Sequence, residues 1–309
     1  MVIVLEVPKK SGEILKFEFE DDVKEIELEY RELTSIDLTP LEKCTTLRKL
    51  NLATNHFKEI ELYPLRKCTN LEIIYLSNNK LKTVDLTPLK NCKKLKELHL
   101  DFNKFISLDL YPLKNCKQME WLNLEYSEIL QIDLSPLENY TNLKWFSISG
   151  NKMQRIDIYP LRKSTQLTNL YIENNLLTSI DLIPIKECIK LRELWLAENK
   201  LESIDLTPLE KLINLEWFSL RGNKLLSVDL APLKNMIKLQ YLYLEENKLE
   251  LIDLSPLKDC HGLIDLWLDG NKLTAIDLTP LESCLNLEEI SLKNNPLTNV
   301  HGSKEKINL

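Results

Sequence analysis

Apolar positions recur along this chain at a constant interval. One row of the pattern is LRELWLAENKLESIDLTPLEKLIN at residues 191–214, and rows of this length, counted from Val23, follow one another twelve times without an insertion or a deletion. After Val23, the first position of each row is held by Leu47, Leu71, Leu95, Met119, Leu143, Leu167, Leu191, Leu215, Leu239, Leu263 and Leu287. One row is too short to bury its own apolar side chains, so the pattern predicts stacked repeats that share a continuous core.

Each row begins with a segment in which apolar and polar residues alternate, as in LRELWL at residues 191–196. Alternation with period two predicts a short β-strand with one buried face. Identical strands that lie one repeat apart pair in parallel, and the rest of each row supplies the crossover that parallel strands need. The rows therefore predict a curved parallel sheet.

The first eleven positions of a row resemble the leucine-rich-repeat signature L-x-x-L-x-L-x-x-N-x-L over roughly residues 23–300. The resemblance implies an α/β solenoid shaped like a horseshoe. Its parallel sheet would be concave, with short helical or 3₁₀ turns on the convex side. It also implies a non-catalytic protein that holds partners on the concave sheet.

The ends of the chain depart from the repeat. Residues 1–22 contain VIVLEV and EILKFEFE around the turn-like PKKSG, which predicts an N-terminal capping β-hairpin. Twelve repeats then occupy residues 23–297, and residues 298–309 form a C-terminal tail. That tail folds over the open end of the core, belongs to a longer chain, or lies where another subunit pairs. The sequence leaves these three possibilities open.

Asparagine occupies the ninth position of ten rows, where an inward amide can satisfy free backbone groups of a buried turn. These residues are Asn55, Asn79, Asn103, Asn151, Asn175, Asn199, Asn223, Asn247, Asn271 and Asn295; Arg31 and Ser127 take the other two places. Later in the row, Thr39-Pro40-Leu41-Glu42 and its counterparts predict a short helix with threonine or serine as N-cap in a capping box.

Seven cysteines are separated by multiples of the row length, which is repeat spacing rather than metal-ligand spacing. They are predicted to be small buried apolar residues. An acidic column consists of Asp37, Glu61, Asp85, Asp109, Asp133, Asp157, Asp181, Asp205, Asp229, Asp253 and Asp277. We expect these carboxylates to be hydrated or bonded to turn amides. A calcium ladder is less favoured, because the glycines of calcium-binding β-roll repeats are missing.

The formal net charge of −7 argues against a nucleic-acid partner, since phosphate binding requires a positive surface. No segment reaches the ~18 apolar residues of a membrane helix, and the N-terminus lacks the pattern of a secretory signal. We expect a cytoplasmic protein without a membrane contact.

The sheet face is defined here as positions 2, 3, 5, 7 and 8 of each row, whose side chains point away from the core. These sixty positions hold every tryptophan, eighteen acidic residues and eight basic ones, a net charge of −10 against +3 for the rest of the chain. The predicted partner-binding residues are Trp121, Tyr126, Trp145, Tyr171, Trp195, Trp217, Tyr241, Tyr243, Trp267, Glu125, Glu173, Glu193, Glu245, Asp265 and Asp269.

Exposed aromatic residues on an acidic surface predict a protein-interaction scaffold whose partner is basic with apolar anchors. The alternatives are simple packing of flat rings along the sheet, a carbohydrate-binding module that stacks sugars on tryptophan, and a regulatory or assembly segment of a larger protein, for example one with a GTPase domain. A monomer is expected, and association through the ends of the repeat stack is possible.

Position 5 of the rows repeats every third unit as Ser147, Tyr171, Trp195, Ser219, Tyr243, Trp267, Ser291. Duplication of a three-repeat block accounts for this period, which would also let an extended partner meet like residues twice. Catalysis has little support, because phosphate-loop, CxxC, GxSxG and HExxH motifs are missing and the histidines do not share a row position. Glu97 and Asp101 beside His99 are a weak glycosidase-like arrangement. No cofactor and no metal are predicted.

Overall fold

A computed structural model describes residues 2–302 and 307–308 of the chain. The chain forms two compact units, Met1–Lys152 and Met153–Leu309. Both units are built from the same 24-residue repeat. In the first eleven repeats a three-residue strand is followed by a turn, a 3₁₀ helix and a second turn.

The first unit begins with an antiparallel hairpin and continues with parallel strands, each one repeat after the last. Its strands are β1 Val2–Pro8, β2 Ile14–Glu20, β3 Glu25–Glu27, β4 Lys49–Asn51, β5 Ile73–Tyr75, β6 Glu97–His99, β7 Trp121–Asn123 and β8 Trp145–Ser147. Its 3₁₀ helices are Thr39–Lys43, Tyr63–Lys67, Thr87–Asn91, Tyr111–Asn115 and Ser135–Asn139.

The second unit has the same construction and an extra pair of strands near its end. Its strands are β9 Asn169–Tyr171, β10 Glu193–Trp195, β11 Trp217–Ser219, β12 Tyr241–Tyr243, β13 Asp265–Trp267, β14 Ala275–Asp277, β15 Glu289–Ser291, β16 Asn299–His301 and β17 Ile307–Asn308. Its 3₁₀ helices are Tyr159–Lys163, Ile183–Ile185, Thr207–Leu209, Ala231–Leu233, Ser255–Asp259 and Thr279–Ser283.

The strand register follows the sequence period, so equivalent leucines stack on one another. Leu98 pairs with Leu122 in the first unit and Leu242 pairs with Leu266 in the second, and all four side chains are fully buried. Because successive repeat strands are one repeat apart, their central residues form a continuous core layer within each unit. The predicted parallel sheet of repeats is confirmed in each unit.

The asparagine column satisfies the backbone where the chain leaves each strand, as predicted. The amide nitrogen of Asn103 donates to the carbonyls of Leu76 and Leu100, and its Oδ1 accepts a hydrogen bond from the backbone N–H of Leu81. One side chain therefore joins two repeats. Ser127, which replaces asparagine in the fifth row, is buried and its hydroxyl has no partner among the described residues.

The predicted capping box is wrong. Thr39 is the first residue of its 3₁₀ helix rather than the N-cap, and the N-cap Leu38 makes no side-chain capping bond. The backbone N–H of Thr39 is instead bound by the carboxylate of Asp37, with an N to Oδ1 distance of 2.8 Å. All eleven members of the acidic column make the equivalent bond two residues ahead, so in each case the carboxylate binds the N–H of the first residue of the 3₁₀ helix.

The seven cysteines are free thiols in the core, at most 1% exposed. The Sγ of Cys68 lies 3.5 Å from the carbonyl oxygen of Leu41 in the preceding repeat, and burial raises the pKa of this thiol to about 12. A thiol that stays protonated at neutral pH is a poor nucleophile and a poor metal ligand. The cysteines are therefore core residues, in agreement with the prediction.

The N-terminal hairpin packs against the first repeats through its β1 side. Ile3, Leu5 and Val7 are buried, and the carbonyl of Pro8 accepts a hydrogen bond from the backbone N–H of Thr34. At the other end of the chain, β16 pairs with β14 and β17 pairs with β15, both in parallel. The remainder of the predicted tail, residues 303–306 and 309, lies outside the described residues.

Candidate partner-binding face

The predicted aromatic residues lie on the sheet face in both units, but most are half-buried rather than free. Trp121 is 38% exposed and Tyr126 is 41% exposed, whereas Trp145 and the aromatic residues predicted in the second unit are covered to a greater extent. Neighbouring rings supply much of this cover. The prediction of outward-facing rings therefore holds, with the qualification that they also pack on one another.

The second unit joins six of the predicted aromatic residues into one continuous group, called here the ring cluster: Tyr171, Trp195, Trp217, Tyr241, Tyr243 and Trp267. The rings of Trp217 and Tyr241 stack with centroids 3.7 Å apart, and those of Tyr243 and Trp267 are 4.8 Å apart. Trp195 contacts Trp217 at 6.2 Å. Rings that hold one another in place lose little conformational entropy when a partner covers them.

A small residue in the middle of the ring cluster lets rings from non-adjacent repeats meet. Ser219 is 1% exposed, and the strand that carries it lies between those of Trp195 and Tyr243. The centroids of these two rings are nevertheless only 6.1 Å apart, less than two strand spacings of about 4.8 Å each. The three-repeat period seen in the sequence therefore has a packing consequence, since serine makes room for the rings on both sides.

Glu193 fixes one end of the ring cluster. Its Oε2 accepts hydrogen bonds from the hydroxyl of Tyr171 at 2.6 Å and from the indole Nε1 of Trp195 at 3.3 Å. Asn169 adds a further bond to the Tyr171 hydroxyl at 2.9 Å. These bonds orient two rings of the cluster.

Glu245 lies on the other side of the cluster and is 5% exposed. Its Oε1 is 3.6 Å from the Nε of Arg221, while its Oε2 is buried and has no hydrogen-bond partner among the described residues. Burial raises the pKa of this carboxyl to about 7. The indole nitrogen of Trp267 is also buried without a hydrogen-bond partner in that part of the chain.

The sheet face of the second unit carries most of the predicted negative charge. Its thirty positions contain ten acidic residues and the three basic residues Arg192, Arg221 and Lys293, a net charge of −7, whereas those of the first unit total −3. Burial and the nearby carboxylates Glu289 and Glu288 raise the pKa of Asp265. Asp269 accepts hydrogen bonds from the Ser291 hydroxyl and the Lys293 backbone, and Glu173 is half-buried on the same face.

The first unit has smaller aromatic groups. Trp121 and Trp145 stack with centroids 5.7 Å apart, and Phe102 and Tyr126 stack at 4.7 Å. Glu125 accepts a short hydrogen bond from the hydroxyl of Ser147, and burial raises the pKa of its carboxyl. These residues form two separate ring pairs rather than one continuous cluster.

The weak glycosidase-like arrangement of Glu97 and Asp101 is not assembled as a pair of free carboxyl groups. Glu97 accepts a hydrogen bond from the Tyr75 hydroxyl at 2.8 Å. The pKa of Glu97 is lowered, chiefly by the imidazole of His99 at 3.7 Å and also by the Tyr75 hydroxyl. Asp101 is 9% exposed and accepts a hydrogen bond from Ser77 at 2.6 Å. Both carboxylates are held by neighbouring side chains.

The backbone is strained at position 8 of the sheet face, which the sequence pattern did not predict. This position has positive φ in every row, and nine of the twelve residues are not glycine: Tyr30, Thr54, Asn78, Phe102, Tyr126, Asn174, Glu198, Glu246 and Asn294. Left-handed φ is uncommon for bulky and β-branched residues. The glycines at 150, 222 and 270 in the same column were the available signal.

At Gly150 the small residue is needed for space as well as for its φ of 66°. A Cβ placed there would lie 2.4 Å from the ring of Tyr126 in the preceding repeat. The Tyr126 ring, 4.7 Å from that of Phe102, therefore rests over a glycine on one side. The residue types along this column shape the surface that a partner would meet.

Within the described residues, no helix has the length and apolar character to cross a membrane. In the same part of the chain, no three histidine, cysteine or acidic side chains are grouped so that they could hold a metal ion.

The leucine-rich-repeat family model matches residues 45–105, 165–225 and 213–273. Among curated proteins, no sequence matches this chain. Solved structures do resemble it. An internalin, InlF from Listeria monocytogenes, is 24% identical and superposes with a TM-score of 0.67 over 96% of this chain and 92% of the internalin.

Two further structures extend the comparison. The functional domain of InlJ from Listeria monocytogenes, described as including a cysteine ladder, is 25% identical with a TM-score of 0.69 over 93% of this chain and 64% of that one. A chain of the octameric complex of latrophilin 3, Unc5D and the leucine-rich-repeat protein FLRT2 is 20% identical, with a TM-score of 0.65 and coverages of 84% and 78%.

Proposed function

Since this chain belongs to the leucine-rich-repeat family, whose members commonly bind other proteins, we propose that it is a non-catalytic protein-binding module. The sheet face of the second unit receives the partner. The observation that carries this proposal is the ring cluster, a continuous set of six oriented aromatic rings on a surface with a net charge of −7.

Aromatic side chains supply much of the binding energy in protein interfaces, because they bury a large area at a low cost in entropy. The neighbouring rings and Glu193 already restrain the ring cluster, which lowers that cost further. An extended partner segment that crosses the strands would contact several rings in turn.

The negative charge of this face favours a partner that carries positive charge. A surface lined with carboxylates speeds the approach of a basic segment and disfavours an acidic one. Arg221 does not reverse this sign, because its single guanidinium lies within 3.6 Å of three carboxylates, those of Glu198, Glu245 and Glu246. The proposed partner is therefore a basic protein segment with apolar anchors.

The test compares two double variants that remove tryptophan from different units. Trp195→Ala with Trp217→Ala opens the ring cluster, and Trp121→Ala with Trp145→Ala removes the ring pair of the first unit. Partners captured by the wild-type protein are identified by mass spectrometry, purified and titrated against all three proteins by calorimetry. Thermal unfolding of each variant serves as the folding control.

We expect the second-unit variant to bind at least about a hundredfold more weakly, since loss of each hot-spot tryptophan costs about 2 kcal/mol or more. We expect the first-unit variant to bind as the wild type does, and binding to weaken with salt. Equal affinity of the two variants would refute the placement of the site. Selective binding to a glycan array, lost in the second-unit variant, would replace the protein partner with a carbohydrate.

A cytoplasmic, reducing location forms part of this proposal. All seven cysteines are free and buried, and proteins of oxidising compartments usually carry disulfides instead. Cell fractionation with an antibody against the folded chain tests the location, and recovery from an extracellular or periplasmic fraction would contradict it.

A further inference from the structure

Three consecutive repeats of the second unit expose an isoleucine in the turn that precedes a strand. Ile189, Ile213 and Ile237 are 50%, 49% and 59% exposed and occupy position 23 of their repeats. We call them the isoleucine strip. The same position elsewhere is held by Thr45, Thr69, Lys93, Lys117, Thr141, Thr165, His261 and Leu285. Three neighbouring repeats thus share an apolar surface residue where most others have a polar one.

The backbone beneath the isoleucine strip is also distinct. The 3₁₀ helices of these repeats, Ile183–Ile185, Thr207–Leu209 and Ala231–Leu233, span three residues, while the others in the described part of the chain span five. The residue that follows each short helix keeps right-handed helical dihedral angles, for example φ −58° and ψ −22° at Lys186. Two separate observations therefore mark the same three repeats.

Lysine is abundant on both sides of the isoleucine strip. Positions 20, 21 and 24 of these repeats hold five lysines and two glutamates, a net charge of +3. Glu187 and Glu210 face Lys211 and Lys234 at 3.7 and 4.0 Å. The amines of Lys190 and Lys238 donate to the side-chain amide oxygens of Gln166 and Asn214 rather than to carboxylates. The strip therefore has a positive border.

We propose that the isoleucine strip is a second docking surface, one that binds an acidic amphipathic helix of a partner protein. The positive border selects acidic side chains, whereas the sheet face selects basic ones. This inference does not depend on the function proposed for the sheet face, because the two surfaces differ in position, charge and apolar residue type.

The dimensions of the isoleucine strip favour a helix over a lipid surface. Stacked repeats place its members in single file at steps of roughly 5 Å, the spacing of paired strands. Residues three or four apart on a helix are separated by about 5–6 Å, so one apolar helix face can match the strip step for step. Membrane-surface contacts usually combine a broad apolar face with aromatic side chains. The strip consists of aliphatic side chains only one residue wide.

The test uses the whole chain and a synthetic helical peptide of about 18 residues, with leucines along one face and glutamates elsewhere. Binding is measured by fluorescence anisotropy for the wild type and for the triple variant Ile189→Thr, Ile213→Thr and Ile237→Thr. Threonine is the residue that this chain itself uses at Thr141 and Thr165. The matched control is Trp195→Ala with Trp217→Ala, which alters only the sheet face.

We expect the triple variant to weaken peptide binding about tenfold or more, and the tryptophan variant to leave it unchanged. A second variant, Lys186→Glu with Lys190→Glu and Lys238→Glu, keeps the isoleucines and should weaken binding of the acidic peptide while improving binding of the same peptide with lysine in place of glutamate. If the threonine variant does not fold, this charge-reversed variant still tests the proposal.

Equal binding by the wild type and the charge-reversed variant would overturn the proposal, as would failure of the wild type to bind the acidic peptide above the lysine peptide. Vesicles of phosphatidylserine and phosphatidylcholine provide the remaining arm. Sedimentation of the wild type with these vesicles, lost in the threonine variant, would assign the strip to a lipid surface and refute the protein partner.

Discussion

Replacing Glu245 with glutamine should stabilise the second unit above neutral pH. The carboxyl of Glu245 is 5% exposed, its Oε2 lacks a hydrogen-bond partner among the described residues, and burial raises its pKa from 4.5 to about 7. Above that pH the folded protein must carry a buried carboxylate that only Arg221, 3.6 Å away, partly offsets. Glutamine keeps the shape and removes the charge.

The sign and size follow from proton linkage. Between pH 4.5 and about 7 the folded state holds a proton on Glu245 that the unfolded state has released, so stability from this group falls as the pH rises and then becomes constant. The difference between the two pKa values corresponds to at most about 3 kcal/mol at pH 8. At pH 5 the penalty is below about 1 kcal/mol, because the folded carboxyl is then protonated.

The assay is urea unfolding of wild type, Glu245→Gln and Glu246→Gln at pH 5 and pH 8, followed by tryptophan fluorescence. Glu246 is the adjacent residue and is exposed, so its replacement controls for the loss of one negative charge. We expect Glu245→Gln to gain stability over the wild type at pH 8 and to lose most of that gain at pH 5. Parallel pH profiles for wild type and Glu245→Gln would refute the reasoning.

Two further predictions concern the first unit. Thr54→Gly should raise the free energy of unfolding by roughly 0.5–1 kcal/mol, because Thr54 is a β-branched residue with φ 54°. Asn78→Gly, in the same column, is the control and should change the free energy of unfolding little. A loss of stability in both variants would contradict the idea that Thr54 is strained. Asn103→Ala should lower the free energy of unfolding by about 3 kcal/mol, since it leaves the buried N–H of Leu81 and the buried carbonyl of Leu100 unpaired. Chemical denaturation compares it with Asn70→Ala, which removes two exposed hydrogen bonds, to Thr45 and Lys94. Equal losses would show that the buried column has no special role.

The repeat architecture could be predicted because its signal is local and is repeated twelve times. Alternation within each row defines the strand, and the constant row length sets the register, as the pairing of Leu98 with Leu122 shows. The asparagine and cysteine columns were also predictable. A buried polar side chain must bond to free backbone groups, and a buried small apolar residue that recurs at repeat spacing lies in the core. The capping box failed because the carboxylate of Asp37, two residues before Thr39, binds the Thr39 N–H that the box assigns to Glu42.

The candidate face was only partly predictable, because alternation gives the direction of a side chain but not its surroundings. Glu245 and Glu246 are neighbours of the same type, yet one is buried and the other is exposed, since the chain turns at position 8 with φ 56° at Glu246. The stacking of Trp217 on Tyr241 likewise depends on rotamers. The short 3₁₀ helices beneath the isoleucine strip were not predictable either, because a short apolar motif does not specify the length of a helix.

The position of Ser219 restricts how the ring cluster can be lengthened or shortened by gain or loss of repeats. The order tyrosine, tryptophan, serine along β9 to β11 repeats along β12, β13 and β15. Loss of the repeat that carries Ser219 would make the strands of Trp195 and Tyr243 direct neighbours and would remove the small residue that makes room for both rings. Loss or gain of three whole repeats together would preserve the order of tyrosine, tryptophan and serine at position 5. The unit that can be duplicated without disturbing this order is therefore three repeats, although the structural period is one repeat.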